Sequence, residues 1–365
     1  MGFKTNFVLG AAAIAAAATS YSIPTSVEAA DYYKGKTLSV IVGRGPGSGA
    51  DSTARAFARY WTKYIPGNPK IVVRNMKGTP TYNFIYQKAK PDGLTITFTP
   101  YDPVSQLTKR KGFKADYSKM PFVGSLYNAA LIYITTDQIK DPYNLKGIKG
   151  AKYGGQGPTG RFDLLGRFTM EILGADFKYL TGFGGAKKVL NAMRRREVDI
   201  QTIGLNLYRL SAEKPLVKTG KAVPLYYMPF PGHTGLAGSF FGGLPSFEDY
   251  YKKVHGKAPS GKQWEVFQWA TSTLNAMSYS AFLPPKTPSA QRDILRAAYA
   301  KVVKDPKYLA EQKKMFGYNL PYVNPALGAK IVGNMMNASQ AHRDYLTAWL
   351  AEGAKHRIKK KKKKK

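Results

Sequence analysis

The chain has 365 residues, 44% of them hydrophobic and 21% charged, which is room for two domains and excludes a disordered or fibrous chain. Lys and Arg number 56 against 22 Asp and Glu, a net charge of +34 that suits nucleic acid, anionic lipid or small anions without choosing among them. There is no cysteine, which excludes disulfides, thiolate metal sites, cysteine nucleophiles and a lipid-modified cysteine anchor.

The first thirty residues have the layout of a secretory signal peptide. Lys4 supplies the positive start, "FVLGAAAIAAAA" a short apolar run, and "SVEAAD" a small-residue site with cleavage expected after Ala29 or Ala30. The run is too short to cross a hydrocarbon core of about 30 Å as a helix. The expected product is a mature domain free in the periplasm. Export also counts against nucleic-acid partners and against enzymes that need cytosolic NAD or ATP.

From Lys36 onward strands and helices alternate. "KTLSVIVG" is β-branched and bounded by glycine, and so reads as a buried strand. Ala54, Phe57, Ala58, Trp61 and Ile65 then share one helical face. "IPGNP" ends that helix, "KIVVRNM" is a second strand, and "KGTP" turns into the helix "TYNFIYQKAK". "PDG" and the strand "LTITFTPY" complete a parallel α/β block. A second block follows in "KYGGQGPTGRFDLLGRFTMEILG" and "KYLTGFGGAKKVLNAMRRREVDIQTIG". The Pro/Gly-rich "PLYYMPFPGHTGLAGSFFGGLPSF" separates it from a helical end, with a last helix over about 325–354. The run "HRIKKKKKKK" repels itself, so residues 357–365 are expected as a disordered basic tail, with weak contact to anionic membranes as its functional alternative.

Three glycine turns (43–52, 77–82 and 154–162) carry the chemistry. Gly45, Gly47 and Ala50 fit G-x-G-x-x-A between strand and helix, but a dinucleotide site needs an acidic residue about 20 positions on. After Asp51 the next acidic residue is Asp92. "GQGPTGR" has the glycine spacing of a phosphate loop, with Arg161 and Phe162 where Lys and Ser or Thr belong. What survives is anion capture by the unpaired amides and partial positive charge of helix N-termini, with glycine allowing close approach. Asp51 is expected as the N-cap of the first helix, and Thr79 as a cap with Pro80 at the first helical position. His233, His255, His342 and His356 show no metal-ligand spacing, and no G-x-S-x-G elbow is present around Ser48. "MRRREVD" is expected to face solvent at a helix end.

In this order "YYKGKTLSVIVGRGPGSGADSTARAFARYW", "PGNPKIVVRNMKGTP", "PDGLTI", "GGQGPTGRFDLLGRFTMEILG", "FGGAKKVLNAMRRREVDI", "GLPSFED" and "FLPPKTPSAQRDILRAAYAKVVKDPKYLAEQKKMFGYNL" resemble the receptors of tripartite tricarboxylate transporters, the Bug family of periplasmic solute-binding proteins. The resemblance covers most of the mature chain. It implies an α/β, two-lobed, Venus-flytrap fold of the type II periplasmic-binding class, each lobe a mainly parallel sheet flanked by helices. Lobe 1 would comprise 31–128 with 246–356, lobe 2 would comprise 129–245, and two crossings would form the hinge. It implies a monomer that captures a small organic acid for a membrane permease, or in some members for a sensor, without enzyme activity, cofactor or metal.

Carried over, the first ligand turn is Gly45, Pro46, Gly47, Ser48, Gly49 and Ala50, followed by Asp51. The family's second turn reads Pro-Gly-Ala-Gly; here Lys77, Gly78, Thr79 and Pro80 stand instead, and Pro80 removes a donor. Tyr82 would add an aromatic face favouring an aromatic or larger acid. From the second lobe come Gly157, Pro158, Thr159 and Gly160, with Arg161 placed to pair a second carboxylate. Gly184, Gly185 and Ala186 follow, and Asp199 would line or brace the pocket. Two other classes stay open. An enzyme on this scaffold would have only Ser48, Thr159 and Asp51 to work with, and a charge-driven protein would bind polyanions or membrane surfaces through its net charge and lysine tail.

Overall fold

The computed structural model describes residues 32–229 and 242–358. The predicted signal peptide, His233 with half of the Pro/Gly-rich stretch, and the lysines from 359 onward lie outside the described residues.

The first block folds as its pattern dictates. Strand β1 (Thr37–Val42) buries Leu38, Val40, Ile41 and Val42 and pairs in parallel with β2 (Lys70–Asn75) and β3 (Thr95–Thr97). Between them run α1 (Gly49–Trp61) and α2 (Thr79–Gln87). The apolar face of α1 drives Phe57 into a cluster of rings from Trp61, Phe98, Tyr299 and Tyr308, with centroids 4.4–5.5 Å away. Phe57 is fully buried, so a Phe57→Ala cavity there would cost about 3–5 kcal/mol. A short α3 (Pro103–Leu107) leads to β4 (Phe122–Leu126).

Three residues after β4 the chain is in the second lobe. There β5 (Ala130–Thr135), β6 (Ala151–Gly155), β7 (Phe177–Thr181), β8 (Ile200–Gly204) and β9 (Ala222–Met228) form a sheet of order β7-β6-β8-β5-β9. Helices α4 (Arg161–Ile172), α5 (Ala186–Arg194) and α6 (Leu205–Ser211) connect its strands. After α7 (Phe247–His255) and α8 (Lys262–Thr273), β10 (Tyr279–Phe282) returns to the first lobe. It pairs with β4, as does β11 (Tyr322–Val323). Thr97 welds this sheet to β3: its Oγ1 donates to Ser280 O at 2.9 Å and accepts from Phe282 N at 2.8 Å. The remaining helices are α9 (Ser289–Val302), α10 (Pro306–Phe316), α11 (Pro325–Met336) and α12 (Gln340–Lys355).

Of the three sheets, β2-β1-β3 is parallel, β10-β4-β11 antiparallel and the five-stranded sheet mixed. β1, β2 and β3 are parallel, as are β6, β7 and β8, because a helix carries the chain back between them. The strands that follow a crossing, β5 and β10, run antiparallel to their neighbours.

Within 246–356, α9 and α11 pack on β4 and α10 packs on both α1 and α6, whereas α7, α8 and α12 lie against second-lobe elements. Phe247 and Tyr250 of α7 pack on Tyr226 of β9 at 5.1 and 4.8 Å, and α8 lies on α4. Trp349 of α12 stacks on Phe168 of α4 at 4.3 Å and 8°, and its indole N–H donates to Glu171 at 2.8 Å. Arg167 is held under the same indole, 3.7 Å from the ring centre. The chain therefore crosses between lobes at 127–129, 274–278 and 337–339, three times where two were expected. The basic tail also begins later than expected: Thr181 N donates to His356 O at 3.1 Å and Ile358 N to Thr181 O at 2.9 Å, so Arg357 and Ile358 run beside β7.

Candidate functional site

The loops at the C-terminal ends of β1, β2, β6, β7 and β8 meet at a cleft of about 460 Å³ between the lobes. Gly45, Pro46, Ser48, Gly49, Ala50, Gly78, Thr79 and Tyr82 line it from the first lobe. Gly157, Thr159, Gly160, Arg161, Gly184, Gly185 and Ala186 line it from the second. Gly47, Asp51 and Asp199 do not.

In the first turn Ser48, not Asp51, caps α1: its Oγ accepts from Asp51 N at 3.3 Å. Asp51 is the third helical residue and reaches back to accept from Gly47 N at 2.8 Å, with Asn75 Nδ2 at 2.9 Å and Arg55 Nε at 3.0 Å on its other oxygen. Burial alone would raise its carboxyl, but the hydrogen bonds from Asn75, Gly47 and Arg55 prevail and hold it below the ordinary carboxylate range. Gly47 takes φ +69°, the left-handed conformation that lets its amide point at Asp51. Both residues thus shape the cleft wall from behind. The Gly49 and Ala50 amides have no acceptor among the described residues, so the start of α1 presents two free donors to the cleft.

The second turn offers less. Gly78 is the N-cap, at φ +78°, with Thr79 and Pro80 as the first two helical residues and no side-chain cap, so Thr79 is not the cap that the sequence predicts. Pro80 has no N–H and Thr81 N is spent on Gly78 O, leaving the Thr79 amide alone. Tyr82 is 4% exposed, its hydroxyl donating to Pro100 O at 2.8 Å and its ring packed against Phe113, so it is wall rather than an open aromatic platform. Phe162, which also lines the cleft, is the more exposed ring.

The glycine turn of the second lobe is already filled. Asp163 accepts from Gln156 N (2.8 Å), Gly157 N (3.1 Å), Thr181 Oγ1 (3.0 Å) and Tyr179 Oη (2.5 Å). It is 2% exposed, and burial pushes its carboxyl up to about 6 even against those four donors. Arg161 is likewise committed. Its guanidinium donates to Asn128 O at 2.6 Å and to Ser278 Oγ, both on interlobe crossings, and stacks over Phe162 at 4.6 Å. It braces the hinge end of the cleft with two of its five donors. Among the described residues, the Arg161 and Phe162 amides at the start of α4 and the Ala186 and Lys187 amides at the start of α5 have no acceptor. Asp199 precedes β8 at the end opposite Gly204, the end that lines the cleft; its carboxylate accepts from Lys152 N at 2.8 Å and pins β6 to β8 far from the site.

Arg161 and Lys77 are named from the sequence; no motif marks Arg44, Arg110, Lys187 or Lys188. Arg44, Lys77, Arg110, Arg161, Lys187 and Lys188 line the cleft, against Asp102 as the single acid. A buried amide network closes the hinge end. Asn128 Nδ2 donates to Asn206 Oδ1 and Tyr279 Oη, both at 2.9 Å, and Tyr318 Oη donates to Asn128 Oδ1 at 2.7 Å. No lining residue is a histidine. Asp102 is occupied by Ser105 and Arg110, and the Ser48 oxygen accepts its cap bond, so among the described residues no nucleophile–base pair is assembled in the cleft. Among the described residues no group of three His, Asp or Glu side chains is placed to hold a metal, and no helix is long and apolar enough to cross a membrane.

No protein-family model matches the sequence, and no curated protein matches it. Solved structures do. A TctC solute-binding protein from Polaromonas superposes with a TM-score of 0.57 over 88% of this chain and 99% of its own, at 16% identity. The periplasmic binding protein BugD gives 0.60 over 89% and 100%, also at 16% identity. A Rhodopseudomonas palustris protein solved with adipate gives 0.61 over 87% and 97%, at 14% identity. Two lobes of mixed sheet, joined by repeated crossings around a cationic cleft, give this chain the fold of the TctC and Bug solute-binding proteins.

Proposed function

We propose that the chain is an exported periplasmic receptor that captures a small organic carboxylate between its lobes and delivers it to a tripartite tricarboxylate-type permease. It acts by binding alone, as a monomer without cofactor. The observation that carries this reading is the convergence on one interlobe cleft of six cationic side chains and the free amides of two facing helix starts, opposed by a single carboxylate. Such donors hold a carboxylate without chemistry, and the surrounding positive field speeds its encounter. The fold shared with a protein solved with adipate supports the ligand class. Ligand would favour the closed arrangement because only there do both lobes contact it.

A thermal-shift panel of succinate, citrate, adipate, benzoate and terephthalate, with sulfate and a nucleotide as controls, tests the reading on the mature chain. An acid at 100-fold above its Kd adds about 2.7 kcal/mol, a shift of several degrees. Stabilisation by one acid and not by sulfate or nucleotide is expected. Equal stabilisation by every polyanion, lost with added salt, would replace this reading with charge-driven binding to polyanions or membrane surfaces.

A further inference from the structure

Arg110 belongs to no motif, yet its guanidinium hydrogen-bonds to both lobes at the cleft. Its direction is set locally by the end of α3. Lys109 N donates to Gln106 O at 3.1 Å and Arg110 N to Ser105 O at 3.0 Å, the paired bonds that reverse a chain after a helix. Lys109 holds the left-handed position at φ +46°, where glycine is the usual residue. The turn therefore aims Arg110 at the second glycine turn. Its Nη2 donates to Thr79 Oγ1 at 2.7 Å and lies 3.5 Å from Asp102 Oδ2, and its Nη1 donates to Thr159 Oγ1 of the second lobe at 3.3 Å.

The second turn is where the backbone is short of donors, since Pro80 has no N–H and Thr81 N is used internally. A guanidinium carries five N–H donors, and the contacts to Thr79, Asp102 and Thr159 leave two of them for the cleft that Arg110 lines. We propose that Arg110 is the second anion clamp of the cleft and its interlobe tie: it supplies the charge and donors that the Gly78–Pro80 turn lacks, and through Thr159 it links acid capture to closure. The proposal rests on the receptor reading above. It places one carboxylate at the Gly49 and Ala50 amides and a second at Arg110, so the ligand is a diacid whose second charge is read by a side chain.

The test compares wild type with Arg110→Ala, Arg110→Lys and Thr159→Val. Titration calorimetry uses the best-binding acid of succinate, adipate and citrate, and its monomethyl ester. Arg110→Ala is expected to weaken the free acid by about 10-fold or more while changing the ester little, with Arg110→Lys recovering part of the loss. Undiminished binding of the acid by Arg110→Ala, or equal loss of acid and ester, overturns the clamp and leaves the receptor reading standing. If wild type binds none of these acids, the receptor reading falls, and ligand-free small-angle scattering decides the tie by itself. A larger radius of gyration for both Arg110→Ala and Thr159→Val supports the tie; radii equal to wild type overturn it.

Discussion

The turn before α1 and the turn before α4 are built alike and behave differently. In each, a strand ends in a glycine turn, a helix starts, and the third helical residue is an aspartate that reaches back to the turn's amides. Asp51 takes one amide, shares its charge with Arg55 and Asn75, and stays ionised. Asp163 takes two amides and two hydroxyls, and no ion pair reaches it, so burial dominates its titration. Both turns keep the first amides of their helix, Gly49 and Ala50 in one and Arg161 and Phe162 in the other; what differs is how many neighbours hold the aspartate and whether a cation is among them. A glycine-rich turn before a helix thus offers a ligand only the amides that its own aspartate has not taken.

The largest effect that would break this comparison is removal of the internal anion. Asp163→Ala leaves Gln156 N, Gly157 N, Tyr179 Oη and Thr181 Oγ1 without their acceptor in a buried place, an expected loss of about 3–5 kcal/mol in urea denaturation. Asp51→Ala, beside a half-exposed Arg55, is expected to cost less, about 1–2 kcal/mol.

Titration separates the two aspartates by sign. The folded protein holds the Asp163 proton up to about pH 6, whereas the unfolded chain releases it near 3.8, the ordinary value for an aspartate. Its contribution is full below pH 4 and is lost as pH rises through 6, by about 3 kcal/mol. Asp51, with a lowered folded pKa, contributes in the opposite sense: its stabilisation is present above pH 4 and lost as pH falls. Denaturation midpoints from pH 3 to 7 for Asp163→Asn and Asp51→Asn would resolve the two: the first variant should lack the loss between pH 4 and 6, the second the loss on the acid side. An Asp163→Asn profile matching wild type would contradict the assignment.

A smaller effect tests the open turn. A Cβ at Gly49 would stand 2.9 Å from Asn206 Nδ2 and 3.2 Å from Tyr279 Oη, groups locked in the hinge network. Gly49→Ala is expected to cost about 1–3 kcal/mol and to weaken ligand binding, because Asn206 belongs to the other lobe and the clash is relieved by opening. Gly185→Ala, with extended backbone and nothing within 4 Å, should leave stability unchanged. The smallest effect is a gain. Lys109→Gly removes a left-handed lysine and should stabilise by about 0.5–1 kcal/mol, read as a rise in midpoint at constant slope.

The α/β alternation and the cleft-lining glycines were legible because both are local signals. A β-branched run, a glycine turn and an amphipathic helix specify their own neighbourhood. Asp163 was not singled out, although it follows its glycine turn much as Asp51 follows Gly47 and Gly49, because a carboxylate filling its own turn looks in sequence like any first-turn acid. Asp199 was misplaced for the converse reason: an acid just before β8 says nothing about which end of the strand faces the cleft. Arg110, Asn128, Asn206 and Ser278 meet only through tertiary contacts, and no spacing announces them. The same holds for Trp349, whose stacking on Phe168 decides that α12 belongs with the second lobe.

That docking of α12 has a mechanical consequence. Two neighbouring connections form a ribbon that bends and also twists, so the halves it joins have two soft directions of movement. The link at 337–339, pinned at its far end by the Trp349 stack and by the Ile358–Thr181 bond, acts as an off-axis strut. A strut of fixed length resists twist and sets a stop on bending, leaving one axis and a bounded arc. The lobes would then swing like a door on a stay, returning to the same register with Gly47 brought back opposite Lys187 at each closure.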